Sequence, residues 1–199
     1  MKRFFIGLAC LFLLACGPKV DNSPKVIFET TLGAIEIEIY PDKAPLSSAD
    51  FLSYVDRKYY NGQGFYRAVT PANENLDMGM SIIQGGRLDA QPISQPIAHE
   101  STKETGLRNK EGMVSLARQD IGTGSAAFFF INVDNNAVLD FGGERHPDGQ
   151  GFAVFGKVVE GMDVVRSIQD SEKLSAAQSD ATVAQFLVNP VIITKAYRK

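Results

Sequence analysis

The stretch KVIFETTLGAIEIEIY, residues 25 to 40, constrains this chain more than any other. Ile35, Ile37 and Ile39 alternate with Glu36 and Glu38, a period of two that suits an extended strand with one buried and one wet face. A tight turn at Leu32-Gly33 folds that strand back on residues 25 to 31 as a hairpin. An isolated hairpin is marginal in water, so its apolar face demands further strands. Candidates are Phe65 to Val69, Ser81 to Gln84, Gly112 to Ala117, Phe128 to Val133, Ala153 to Val158 and Val191 to Tyr197. Eight short strands in all favour a mainly β fold closed into a barrel, which removes exposed edges.

Two helical segments interrupt the strands. Residues 47 to 57 follow Pro45, with Ser47 or Ser48 as the expected N-cap and Phe51, Leu52 and Val55 on one side. Residues 162 to 169 place Val164, Val165 and Ile168 at helical spacing. The following SEKLSAAQSDATVAQFL reads mostly as loop. No internal repeat or second linker divides residues 25 to 199, which therefore read as one domain.

The N-terminus has a different character. Lys2 and Arg3 precede an apolar run from Phe4 to Ala15, too short to span a bilayer but suited to an export signal. Its end, Leu13-Leu14-Ala15-Cys16, resembles the lipobox of bacterial lipoproteins. That resemblance implies cleavage after residue 15 and lipidation of Cys16, with residues 16 to 24 as lipidated cysteine and short tether. An ordinary signal peptide with a fortuitous cysteine is the competing reading. Cys10 follows too short an apolar run to be the better cleavage point, and the body beyond Cys16 contains no cysteine, so it forms no internal disulfide. Gly17, in place of aspartate, resembles outer-membrane sorting in enteric-type bacteria. The expected location is the periplasmic face of the outer membrane, with the membrane reached through the N-terminal lipid.

Composition excludes several chemistries. A net charge of −3, with no lysine or arginine run, gives no footprint for nucleic acid. Outside the leader the potential soft metal ligands reduce to His99 and His146, far apart in sequence, so no metal site is expected. GTGSA at 122 to 126 is neither a phosphate-binding loop nor a nucleophile elbow, and DNNAVLDFGGE lacks the glycine of a calcium loop. No cofactor is implied.

What remains is Arg67, a guanidinium at the centre of the apolar run GFYRAV. Such a group is costly to bury without a partner. Its neighbourhood, together with KAPLSSADFLSYV, YYNGQGFYRAV, SIIQGG, GLRNKEGMVSLAR, FFFINVDNNAVLDF, FAVFGKVVEGMDVV and PVIITKAY, resembles the cyclophilins, peptidyl-prolyl cis-trans isomerases, along nearly the whole chain after the leader. The resemblance implies an eight-stranded antiparallel barrel capped by two helices, and an enzyme acting on Pro-containing polypeptides such as unfolded exported proteins. Arg67 is then the expected catalytic residue. Phe65, Ile82, Phe130, Leu139 and Phe152 correspond to the proline pocket, Gln84 to the glutamine that braces the arginine, and Leu116, Ala117 and Arg118 to the strand receiving the residues before proline.

The chain also departs from the family pattern. A pocket phenylalanine is replaced at Met80 or Ser81, following the unusual segment TPANENLDMGM at 70 to 80. Phe128 stands where a glutamine usually contacts peptide backbone. Val138 occupies the place of the tryptophan that binds cyclosporin in some members, which implies weak inhibition. GGERHPDGQ, from 142 to 150, is an insertion at the rim. These departures leave a second expectation, a catalytically weak cyclophilin-fold module that binds Pro-containing peptides.

Overall fold

The structure, a computed structural model, describes residues 23–89, 94–176 and 180–199. The expected signal segment, Cys16 and most of the tether lie outside them. Strand β1 (Lys25–Thr30) pairs antiparallel with β2 (Gly33–Ile39), setting Val26 against Ile37 and Phe28 against Ile35, all four buried. Glu36 departs from the expected wet face. Lys199 at 2.6 Å and Lys25 at 3.0 Å cover its carboxylate, and their hydrogen bonds hold it below the ordinary glutamate range.

Six further strands complete the sheet: β3 (Gly64–Val69), β4 (Ile82–Gly86), β5 (Met113–Leu116), β6 (Phe128–Asn132), β7 (Val154–Glu160) and β8 (Phe186–Arg198). All neighbours are antiparallel, in the order β1-β2-β7-β5-β6-β4-β3-β8, and β8 returns to β1 to close the barrel. β8 starts well before the expected Val191. Its later residues pair with β1 and its earlier ones with β3, so tertiary pairing imposes extension on a segment whose local pattern reads as loop. Aromatic rings fill the interior. Phe28, Phe51, Tyr60, Phe129 and Phe155 contact one another at centroid separations from 4.8 to 5.9 Å, and the Tyr60 hydroxyl donates to the Ala126 carbonyl at 2.6 Å.

Helix α1 (Pro45–Asp56) inserts Phe51 among those rings and also buries Leu52 and Val55. It begins earlier than expected, because Pro45 is preorganised for the first helical position. Ser47 and Ser48 therefore lie inside the helix, and neither is the N-cap. Residue 44 holds that place but offers no capping side chain. The missing acceptor comes from far along the chain: Glu100 accepts from the Leu46 and Ser47 amides at 3.0 and 2.8 Å, and from the Ser47 hydroxyl at 2.7 Å. A one-turn helix, α2 (Thr102–Thr105), follows behind a Ser101–Glu104 capping box, unanticipated from sequence. Helix α3 (Met162–Asp170) lies over β2, β3 and β4 with Val165 and Ile168 inward.

Removing the remote cap should be measurable. Glu100→Ala is expected to lower stability by about 1–2 kcal/mol, read as a fall in the urea midpoint with an unchanged m-value. Wild-type stability in that variant would show that the first turn of α1 does not depend on the carboxylate.

Candidate active site

Strand β3 presents Arg67 by breaking the two-residue period. Phe65 pairs with Gly85 and Arg67 with Gln84, so two steps on β3 answer one on β4, a bulge at Tyr66. In a regular strand residues 65 and 67 share a face. Here Phe65 turns fully into the core, 5.7 Å from the Phe129 ring, while Tyr66 and Arg67 stay part-buried outside it. The glycine pair on β4 accommodates the crowding. A Cβ on Gly85 would lie 2.7 Å from the Phe65 ring, and one on Gly86, whose φ is +134°, would lie 2.1 Å from the Ala127 carbonyl oxygen.

Uncharged amides hold the Arg67 guanidinium. Nη1 donates to Gln84 Oε1 at 2.7 Å, while Nε and Nη2 both donate to Gln185 Oε1, at 3.1 and 2.6 Å. The amide orientations are fixed in turn: Gln84 Nε2 donates to the Tyr66 hydroxyl at 2.9 Å, and Gln185 Nε2 to the Asn73 carbonyl at 2.8 Å. Three of the five guanidinium N–H bonds are thus taken, and one on each terminal nitrogen is left. No carboxylate pairs with Arg67 among the described residues, so its charge is not neutralised. Burial lowers its pKa below the ordinary arginine value, with the positive charge of Arg145 adding to the effect, yet a guanidinium keeps its proton. Burial also pushes the Tyr66 phenol up to about 12, so it remains protonated.

Beside the guanidinium lies a depression of about 220 Å³. Its apolar wall is Met80, Ile82, Phe130, Leu139 and Phe152, with Phe130 and Phe152 edge-to-face at 5.5 Å. Of the two residues at which the resemblance implies a lost aromatic, Met80 lines the depression. Ser81 is buried away from the depression, and its hydroxyl accepts from Gln169 Nε2 of α3 at 2.9 Å. A larger depression of about 370 Å³ adjoins the first, sharing Gln84, Ala117 and Arg118 and extending past Tyr66, Thr123 and Phe128.

The rim is built by the inserted segment. Asp148 accepts two bonds from Arg118, at 2.7 and 2.8 Å, while Arg118 Nε donates to the Gly151 carbonyl at 2.8 Å and its guanidinium lies 5.2 Å from the Phe152 ring centre. That pairing holds Asp148 far below the ordinary carboxylate range. Arg145 and His146 complete the wall, with His146 Nδ1 at 3.1 Å from Asp148.

Comparison with known proteins shows the family. A family model described as cyclophilin type peptidyl-prolyl cis-trans isomerase matches residues 25–197. The chain belongs to the cyclophilin family of peptidyl-prolyl cis-trans isomerases. It is 38% identical to a peptidyl-prolyl cis-trans isomerase of Acinetobacter baylyi, over 84% of this chain and 82% of that one. With peptidyl-prolyl cis-trans isomerase B of Escherichia coli it shares 36% identity over 72% of its own length and 83% of that protein's. Among solved structures, a Cryptosporidium parvum cyclophilin type isomerase superposes with a TM-score of 0.66 at 18% identity, covering 89% of this chain and 98% of that one. At that identity the likeness concerns the fold.

Set on this cyclophilin barrel, the residues singled out from sequence separate into groups. Arg67, Ile82, Gln84, Ala117, Arg118, Phe130, Leu139 and Phe152 line the smaller depression together. Phe65, expected there, is a core residue because of the bulge. Leu116, the last residue of β5, is likewise buried in the main core cluster. Phe128 lines only the larger depression, and Val138 packs behind the wall without lining either. Arg118 is committed to Asp148 and Gly151, so it braces the rim and has little freedom to reach a peptide. Among the described residues no three His, Cys, Asp or Glu side chains converge as a metal site would require.

The sequence reading missed Gln185, Tyr66, Arg145, His146 and Asp148. Gln185 lies 118 residues from Arg67, in a segment without periodicity, and only closure of the barrel brings them together. Its role in holding the guanidinium can be read directly. Gln185→Leu should leave the barrel folded but expose the Arg67 Nε proton to water exchange roughly tenfold faster, the equivalent of a lost bond of about 1.4 kcal/mol, measured by ¹⁵N–¹H NMR. Unchanged exchange would mean that the glutamine does not hold the arginine.

Proposed function

We propose that this cyclophilin accelerates exchange of X-Pro bonds non-covalently, with Arg67 as the catalytic residue donating to the prolyl nitrogen. Amide rotation is opposed by ~18–20 kcal/mol because the nitrogen lone pair is delocalised into the carbonyl. In the twisted transition state that lone pair is localised and accepts a hydrogen bond, which neither planar ground state permits. A donor fixed at that point therefore stabilises the transition state selectively. The observation that carries this reading is the clamp of neutral amides, which fixes the guanidinium, leaves two N–H bonds for a ligand and keeps its full charge. The apolar wall beside it suits a pyrrolidine ring and excludes water, which strengthens the bond. No proton transfer or bound group enters this scheme.

NMR exchange measurements on Ala-Pro and Leu-Pro peptides with residues 17–199 test it. Wild type should accelerate exchange, and Arg67→Ala should lose about 100-fold in kcat/KM, or roughly 2.7 kcal/mol. Binding without acceleration in the wild type would favour the second reading, a peptide-binding module whose altered wall at Met80 and Phe128 no longer supports turnover.

The cellular setting is part of the same proposal. The leader's charge, short apolar run and Leu-Leu-Ala-Cys ending support export, lipidation of Cys16 and attachment to the cell envelope, at the periplasmic face of an outer membrane. Exported chains with slow X-Pro bonds are then its substrates, because uncatalysed exchange takes tens of seconds or longer. Membrane fractionation of wild type and Cys16→Ala checks the anchor. The variant should move to the soluble fraction, and correctly processed variant that stays in the membrane would sink the assignment.

A further inference from the structure

Arg145 is the feature of the site that the proposed catalysis does not use. It stands in the inserted segment and lines the smaller depression together with Arg67. Its backbone N–H donates to the Val138 carbonyl at 3.2 Å, which ties the segment to the wall. Its guanidinium has no hydrogen bond or ion pair among the described residues. Three nearby carboxylates are engaged elsewhere, and Glu144, the residue before Arg145, is exposed and makes no ion pair with it among the described residues. Asp148 is held by Arg118 and His146, and Asp140 by the Asn109 amides and Arg108. Glu74 is held by the Leu76 and Met78 amides.

Of the three guanidinium groups that line this part-buried depression, two thus have no carboxylate partner, in a chain whose net charge is −3. Like charges in a partly desolvated site repel, and a ligand anion relieves that repulsion. The wall also separates the two cations by role. Arg67 is braced from behind on both flanks, whereas nothing described braces the Arg145 side chain, which leaves it able to reach a substituent beyond the ring.

We infer that Arg145 makes this depression selective for an acidic side chain on the residue immediately following proline. The inference rests on the function proposed above. Arg145 and His146 line only the smaller depression, while Ala117 and Arg118 line both. If the residues before proline run along Ala117 toward the larger depression, those after it leave past Arg145. A carboxylate there accepts from the guanidinium in a fork, which amide or hydroxyl side chains cannot match.

The test uses capped peptides in which at most one side chain carries charge: Ala-Pro-Asp-Ala, Ala-Pro-Asn-Ala and Asp-Pro-Ala-Ala, with acetylated and amidated ends. NMR gives kcat/KM from exchange rates and Kd from shift perturbation in the same samples. Wild type should favour Ala-Pro-Asp over Ala-Pro-Asn by roughly fivefold at low salt, a size typical of a part-exposed ion pair, and the ratio should shrink toward one at about 0.5 M salt as charges are screened. In Arg145→Gln the ratio should fall to about one, and in Arg145→Glu it should fall below one. A wild-type ratio near one, survival of the ratio in Arg145→Gln, or a stronger preference for Asp before proline each overturns the inference. If no peptide is accelerated, the proposed isomerisation fails on its own, and the Kd ratios alone decide whether Arg145 selects the acid.

Discussion

The bulge at Tyr66 is the constraint on which the site depends. A regular β3 would put Phe65 and Arg67 on one face, and either the core would lose a ring or the guanidinium would enter it unpaired. Two residues opposing one resolves the conflict, since Phe65 joins the aromatic interior while Arg67 stands outside beside Gln84. Gly85 and Gly86 belong to the same solution, because any side chain there would collide with the Phe65 ring or the Ala127 carbonyl. Core packing and site geometry are therefore one arrangement, and a change to either glycine disturbs both.

Three arginines around one depression are treated in three ways. Arg118 is neutralised by a bidentate carboxylate and laid over the Phe152 ring, which makes it part of the wall. Arg67 is immobilised by amide oxygens that take its hydrogen bonds without cancelling its charge. Arg145 has neither treatment. Under the proposed mechanism, a carboxylate in place of Gln185 would also hold Arg67, but it would cancel part of the charge offered to the prolyl nitrogen.

Much of this was legible in the chain. The alternation of Ile35, Ile37 and Ile39 and the spacing of the later apolar runs pointed to eight strands and a barrel, and the family resemblance located Arg67, Gln84 and most of the wall. What escaped did so for physical reasons. The resemblance grouped Phe65 with Arg67, and a bulge leaves no mark in the sequence that would show the two facing apart. The N-cap of α1 was sought locally at Ser47 or Ser48, yet its acceptor is Glu100, more than fifty positions away. Gln185 ends a short helical turn just before β8, whose extension is imposed by pairing with β1 and β3, and neither leaves a periodic pattern. Met80 and Ser81 could not be told apart, because which of two adjacent residues faces the depression depends on the path of the 70–80 segment.

The barrel's interior is packed with a cluster of aromatic rings in mutual contact and the aliphatic side chains around them. Both depressions lie apart from that interior, so under the proposed function a polypeptide bound in them lies across the protein instead of threading through it. Recognition of this kind needs no free end. A proline in the middle of a long polypeptide is as reachable as one near a terminus, and folded portions on either side can remain in bulk solvent while a few residues are held.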